Sequence, residues 1–141
     1  MKYILIAATM LFAPAAAGAA TPDATPAQRV ETFLPAVSSP ESDKAIDDLF
    51  AGSGFAEKKP QDLMTLKGQI KMAMGLYGQQ LGVEKIEEQD LSPSVKRLVY
   101  IQKFEEFPVA WEFYFYKAHG QWSLLALNFK DQVSSILDSV H

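Results

Sequence analysis

The amino-acid sequence predicts an α+β fold in which two N-terminal helices pack on a curved four-stranded antiparallel sheet, with a short C-terminal helix. The first observation is that apolar residues recur every three or four positions between residues 39 and 81, the period of a helix with one buried face. The second is that residues 82–129 form short runs rich in aromatic and aliphatic side chains, separated by turn-forming residues. Helices followed by consecutive strands are typical of an α+β domain.

Two helices are expected before the sheet. The first begins at Ser39, whose side chain can cap it, and stops at 51–54, where two glycines favour a helix C-terminus. The second occupies about 60–81, with a buried face made of Leu63, Leu66, Ile70, Ala73, Met74, Tyr77 and Leu81. Gly68 and Gly75 fall near the opposite side of this helix. That side is either a solvated surface or a smooth groove that another element approaches closely.

Four strands and a final helix follow. The strands are expected at 82–89, 95–104, 109–118 and 121–129, and the first of them is charged, as suits a sheet edge. His119 tolerates positive φ and Gly120 prefers it, so these two residues fit a two-residue hairpin turn. Asp131 is expected to cap the last helix, whose apolar stripe is Val133, Ile136, Leu137 and Val140.

The turns set a register that makes both faces of the sheet apolar. A two-residue turn places Phe113 opposite Ala126, and a four-residue loop at 105–108 places Tyr100 opposite Phe113. The inner face would then carry Leu98, Tyr100, Phe104, Val109, Trp111, Phe113, Phe115, Trp122, Leu124 and Ala126. The outer face would carry Val99, Ile101, Tyr114, Tyr116, Leu125, Leu127 and Phe129, with Arg97, Lys103 and Glu112 among them.

An apolar outer face needs a cover, because contiguous exposed apolar patches usually mark an interaction surface. Three covers are open: the C-terminal helix, a second copy of the chain, or a different partner or ligand. Self-association is favoured, and the expected interface or ligand face comprises Arg97, Glu112, Tyr114, Tyr116, Leu125 and Leu127. The inner face is the expected seat of the long helix. A pocket beneath that helix would involve Tyr100, Trp111 and Met74. The pocket is either open or filled by the side chains of these three residues.

The N-terminus has the features of an export signal. Lys2 precedes an apolar run at 3–12, and small residues lead to a cleavage site expected after Ala19 or Ala20. The run is about ten residues long, whereas a membrane-spanning helix needs roughly 20, so no membrane span is expected after cleavage. Residues 21–38, rich in Pro, Ala, Thr and Ser, are expected to form a flexible tether with one short turn of helix as an alternative. Residues 39–141 would form a single domain.

Composition excludes several classes of function. The formal net charge of −4 lacks the basic footprint that nucleic-acid binding requires. The chain has no cysteine, which excludes thiol catalysis and thiolate metal sites, and the folded region has one histidine, His119 in a turn. The acidic run alternates, with Glu84 and Glu88 on one side and Glu87 on the other, so no metal site is expected. No cofactor is expected either.

Glu112 is the one acidic residue that could carry catalysis. It lies in the aromatic strand among apolar neighbours, where burial would raise the pKa of a carboxyl group and could suit it to proton transfer. Arg97 and Lys103 share its face and could pair with it instead. An ion pair is the favoured interpretation, and an enzyme that uses Glu112 is the alternative.

The hairpin 113-FYFYKAHGQWSLLALNF-129 resembles the end of NTF2-like and cystatin-like domains, in which an aromatic strand, a turn ending in Gly, one residue and a Trp lead into another apolar strand. Its sharpest motif is Gly120-Gln121-Trp122, and the likeness in element order covers about 41–130. The resemblance implies a cone-shaped domain with a pocket between helix and sheet, often dimerising through the outer face of the sheet. Acid–histidine and acid–tyrosine pairs of enzymes in this group have no match here, so no activity is carried over.

These observations predict a periplasmic, non-enzymatic binding domain. It would form a homodimer through its sheet and bind a small apolar ligand or an envelope protein. The alternative is an isomerase- or dehydratase-type enzyme that uses Glu112 in a pocket between helix and sheet.

Overall fold

The structure, a computed structural model, describes residues 24–140; the predicted signal peptide lies outside them. Five helices and four strands occur in this range: α1 Pro26–Val37, α2 Ser42–Phe50, α3 Phe55–Lys58, α4 Pro60–Leu76, β1 Gln80–Ser92, β2 Val95–Phe104, β3 Pro108–Lys117, β4 Trp122–Lys130 and α5 Ser134–Leu137. The strands form one antiparallel sheet in the order β1-β2-β3-β4. The α+β class and the four-stranded antiparallel sheet are therefore confirmed.

The helical layer differs from the prediction, because four helices precede the sheet instead of two. Most of the predicted tether is α1, which Thr25 and Gln28 cap reciprocally and which has Pro26 as its first residue. Its buried apolar side chains are Val30, Phe33, Leu34 and Val37. A stripe at helical spacing therefore outweighs the Pro- and Ala-rich composition, and the folded domain begins by Pro26 and not at Ser39.

Helix α1 occupies the centre of the inner face, where the sequence placed the long helix. The Phe33 ring meets the rings of Trp111 and Phe113 edge-on, at 5.6 and 6.0 Å between centroids. Helix α4 reaches the sheet through Tyr77, whose ring lies 5.6 Å from that of Phe104. It ends at Leu76, earlier than predicted, because Gly78 adopts φ +81 and turns the chain towards β1.

Gln102 connects α1 to the inner face. Its side chain is fully buried. Its Nε2 donates to the carbonyl oxygen of Leu34 at 2.7 Å, and its Oε1 accepts from Trp111 Nε1 at 3.0 Å. The Leu34 carbonyl lies in the last turn of α1, where helix carbonyls lack intrahelical partners. Gln102 therefore satisfies two buried polar groups, one in each layer.

Replacing Gln102 by leucine is expected to lower the free energy of unfolding by about 2–3 kcal/mol, because the Trp111 indole and the Leu34 carbonyl would both lose their buried partner. Urea unfolding followed by tryptophan fluorescence measures this change. Gln121→Leu, in the exposed hairpin turn, is the matched control and should change stability by no more than about 0.5 kcal/mol. Equal stability of the two variants would contradict the role given to Gln102.

The register between β2 and β3 differs by two residues from the prediction. Tyr100 lies opposite Trp111, and Leu98 lies opposite Phe113. The turn closes earlier than expected, with the Phe104 amide donating to the Phe107 carbonyl at 3.3 Å. A shift of two residues leaves every side chain on its predicted face, since side chains alternate with a period of two.

The register between β3 and β4 changes at a β-bulge. Phe115 lies opposite Leu124 as predicted, but Tyr114 lies opposite Ala126, so Leu125 is the extra residue. Beyond it the faces exchange: Ala126 moves to the outer face, and Leu127 packs into the inner core opposite Phe113. Phe129 also moves inward, and its ring stacks on Trp111 at 5.0 Å. The prediction that Leu127 and Phe129 line the outer face is wrong for this reason.

Strand β1 contains three further bulges. Leu81, Ile86 and Leu91 are each an extra residue in its pairing with β2, and each is exposed. Bulges and charges both hinder the pairing of an edge strand with another chain. The edge formed by β1 is therefore poorly suited to strand addition.

Candidate functional site

The outer face of the sheet is the predicted site, and the structure keeps most of its residues there. Arg97 lies on β2, and Glu112, Tyr114 and Tyr116 alternate along β3 on the same face. Leu125 is the bulge residue of β4. Leu127, as described above, lies on the inner face and does not belong to the site.

The C-terminal segment, residues 131–140, covers the middle of this face. Ile136 on α5 is buried against Val99 of β2 and Ala110 of β3, which are themselves fully buried. The partly buried side chains that complete this small cluster are Val133, Leu137 and Val140. One of the three covers weighed from the sequence is thus present within the chain.

Arg97 anchors the C-terminal segment to the sheet. Its side chain is 7% exposed, and its Nη2 lies 2.6 Å from Glu112 Oε2, while Nη1 lies 2.9 Å from Glu87 Oε2. The same guanidinium donates to Ser139, through Nη2 to Oγ at 2.7 Å and through Nη1 to the carbonyl oxygen at 3.4 Å. Burial by itself would lower the pKa of Arg97, but the bonded carboxylate of Glu112 and the charge of Glu87 raise it above the ordinary value.

Glu112 is a hydrogen-bond acceptor in a polar group of residues that we call the charged cluster. The charged cluster comprises Glu87, Arg97, Glu112, Asn128 and Ser139. Oε2 of Glu112 accepts from Arg97 Nε at 2.8 Å and from the Tyr114 hydroxyl at 3.3 Å, while Oε1 accepts from Asn128 Nδ2 at 3.1 Å. Both carboxylate oxygens therefore already have donors from the protein. This arrangement supports the ion-pair interpretation over a general base directed at a substrate.

Sequence reasoning missed Glu87, Asn128 and Ser139 as members of the cluster. Glu87 was assigned to the face opposite Glu84, but the bulge at Ile86 puts both on the outer face, opposite Val99 and Ile101 respectively. Asn128 was missed because the β4 bulge brings it opposite Glu112. No local pattern points to Ser139, since its partner lies 42 residues away.

Part of the outer face stays exposed at the end of the hairpin. Tyr116 is 41% exposed and Leu125 is 58% exposed, with Tyr114 half-buried and Ala126 exposed beside them. We call these four residues the outer strip. It is uncharged and lies next to the region that the C-terminal segment covers.

The residues predicted to line a pocket belong to the hydrophobic core. Trp111 and Tyr100 have almost no accessible surface, and Met74 is buried in the same cluster. The Tyr100 hydroxyl donates to Glu31 Oε1 at 3.2 Å, and burial, reinforced by that carboxylate, raises the pKa of Tyr100. The side chains of Trp111 and Tyr100 are thus enclosed by protein, which leaves no water-sized space open to them.

Within residues 24–140, no helix has both the length and the apolar character needed to cross a membrane. In the same part of the chain, His, Asp and Glu side chains nowhere group in threes that could hold a metal ion. Comparison of the sequence with protein-family models and with curated proteins, and comparison with solved structures, found no match. The resemblance to NTF2-like and cystatin-like domains stays a prediction.

Proposed function

We propose that this chain is a non-enzymatic interaction domain, exported to the periplasm, that binds a protein of the cell envelope through the outer strip. The observation that carries the proposal is the exposure of Tyr116 and Leu125 next to a face otherwise covered by the chain's own C-terminal segment. Tyrosine offers a large apolar surface with a polar tip and is enriched in the cores of protein interfaces.

The geometry of the charged cluster supports a binding role over a catalytic one. Arg97 and Glu112 already have hydrogen-bond partners within the protein, and the bonds from Arg97 to Ser139 hold the C-terminal segment in place. A binding surface on a sheet needs such a rigid support, because ordering loose side chains and segments on binding lowers affinity. The charged cluster stabilises the face, and the outer strip is the part that contacts the partner.

Dimerisation through the whole outer face, which the sequence favours, would require the C-terminal segment to leave. Ile136 occupies the space above Val99 and Ala110, and Leu127 no longer contributes to this face. A small apolar ligand between helix and sheet would likewise have to displace Trp111 and Tyr100 from a closed core. Both alternatives carry a cost that binding at the outer strip avoids.

A photo-crosslinking experiment in the producing cells tests this proposal. Benzoylphenylalanine placed at position 116 or at position 125 is expected to give a light-dependent adduct of defined mass with one envelope protein. The same probe at Thr32, exposed on the other side of the domain on α1, is the control and should give no such adduct. Absence of adducts at both strip positions, or equal adducts from Thr32, would refute the proposal.

A further inference from the structure

Helix α4 presents a second apolar surface to solvent. Its outer arc, the side turned away from the core, comprises Gln61, Met64, Thr65, Gly68, Met72, Gly75 and Leu76. Met64, Met72 and Leu76 are 66%, 71% and 69% exposed, more than the other large apolar side chains of residues 24–140. At 100° per residue these seven positions span about 120° of the helix, and none of them is charged.

The charges of α4 lie off the outer arc. Lys67 and Lys71 pair with Asp47 and Asp43 of α2, with Nζ to carboxylate distances of 2.7 and 2.9 Å. Asp62 lies in the first turn, where the helix dipole favours an acid. An uncharged exposed arc is unusual for a solvated helix, which normally turns charged residues towards water.

Two glycines, Gly68 and Gly75, lie within the outer arc and leave a shallow groove there because they have no side chain. A Cβ added at Gly68 or Gly75 would meet nothing within 4 Å, so no part of the described chain packs against either position. The two interpretations of these glycines were a solvated surface and a groove for another element. Within residues 24–140, no second element occupies the groove, and any such element must come from outside that range.

Exposed lysines lie at the start of α4, with Glu57 and Asp62 on either side of them, and exposed glutamates lie at its end. Lys58 and Lys59 directly precede it and are exposed. At the other end, the backbone amides of Glu105 and Glu106 donate to the carbonyls of Gln79 and Tyr77, each at 3.0 Å. These lysines and glutamates, all exposed, take part in none of the ion pairs among residues 24–140.

We infer that the outer arc of α4 binds the same arc of a second copy, with the two helices antiparallel about a two-fold axis at Gly68. This pairing places Met64 of one copy against Met72 of the other and brings the two copies of Gly68 together at the axis, where small residues allow close helix approach. Gly75 of each copy falls opposite Gln61 of the other. Lys58 falls opposite Gly78, next to Glu105. Both ends of the interface therefore join lysines to glutamates.

Charge complementarity favours a second copy of the chain as the partner and an antiparallel arrangement of the two helices. A parallel pair would bring lysines against lysines and glutamates against glutamates, an arrangement that costs binding energy. An anionic membrane surface would be repelled by Glu105 and Glu106. Methionine adapts well to an apolar surface and is enriched in interface cores, which suits Met64 and Met72. This dimer uses a surface remote from the outer strip and is independent of the proposed function.

Light scattering behind size exclusion, over a hundredfold range of protein concentration, tests the inference first. The purified protein is expected to pass from monomer to dimer in this range. Met64→Glu with Met72→Glu should raise the dissociation constant about a hundredfold or more, because it buries four acids across the two-fold axis. Thr32→Glu with Ser135→Glu, which adds the same charge at exposed positions elsewhere, should leave dimerisation unchanged.

A charge exchange tests the orientation. Lys58→Glu with Lys59→Glu, and separately Glu105→Lys with Glu106→Lys, should each weaken the homodimer about tenfold. An equimolar mixture of these two variants should recover a dimer that contains one copy of each, since both of its ends then join opposite charges. A protein that is monomeric throughout, a Met64/Met72 variant that dimerises normally, or a mixture without recovery would each overturn the inference.

Discussion

Replacing Arg29 by methionine is expected to lower the free energy of unfolding by about 3 kcal/mol, since one buried and one partly buried carbonyl would lose a charged donor. Arg29 is 8% exposed on α1, and its guanidinium donates to the carbonyl of Leu49 at 2.6 Å and to that of Trp122 at 2.9 Å. It therefore joins the C-terminal end of α2 to the start of β4. Burial lowers the pKa of Arg29, and the negative end of the α2 dipole offsets part of that cost.

Urea unfolding followed by circular dichroism measures this loss. Lysine at position 29 should recover only part of it, because an ammonium group does not provide the planar fork that spans two carbonyls. Lys44→Met is the control, since Lys44 is an exposed residue of α2 whose pair with Asp48 is screened by solvent and should contribute little to stability. If Arg29→Met were as stable as the control variant, the proposal that Arg29 stabilises the domain by joining α2 to β4 would be wrong.

Helices with one clear apolar stripe could be predicted well from the sequence. The buried residues of α4, Leu63, Ile70 and Met74, belong to the stripe that the periodicity indicates, whereas Leu81, predicted for the same stripe, lies beyond the helix and is 64% exposed. The Pro- and Ala-rich composition of residues 21–38 predicts a tether, although Val30 and Phe33 stand at helical spacing in the same stretch. Arg29, adjacent to that stripe, was a signal of burial with a partner, but the identity of its acceptors depends on tertiary packing.

The sheet was predicted correctly wherever alternation alone decides the face. Arg97, Glu112, Tyr114 and Tyr116 lie on the outer face as expected, even though the β2–β3 register differs by two residues. The β4 bulge could not be predicted, because neither glycine nor proline lies near Leu125 to mark the extra residue. One inserted residue then exchanged the faces of the rest of β4 and removed Leu127 from the site.

The surface that the C-terminal helix covers could be predicted only in part from the sequence. The stripe of Val133, Ile136 and Val140 predicted an amphipathic C-terminal helix, but not which surface it would cover. The structure adds Ser139, whose hydroxyl accepts from Arg97. A hydrogen bond from Arg97 thus fixes the position of a weakly apolar segment on the sheet. This explains how a four-residue helix can keep Val99 and Ala110 covered.

Replacing Arg97 by methionine is expected to lower the free energy of unfolding by about 3–5 kcal/mol, as when one partner of a buried ion pair is removed. Glu87 and Glu112, whose side chains are 12% and 14% exposed, would then share the outer face without their cation. Ser139 would lose its donor, so the C-terminal segment should detach before the rest of the domain unfolds. Hydrogen exchange should show faster exchange of the amides of 133–140 than in the unsubstituted protein.

A compensated variant separates the charge effect from loss of packing. Adding Glu87→Gln and Glu112→Gln to Arg97→Met removes the unpaired acids and should recover most of the lost stability, since a buried ionic group can be replaced as a whole at little cost. Exchange at 133–140 should nevertheless stay fast, because Ser139 still lacks the guanidinium. Slow exchange at 133–140 in both variants would mean that the apolar contacts of Ile136 are enough to hold the C-terminal segment. Arg97 would then stabilise the sheet without holding that segment in place.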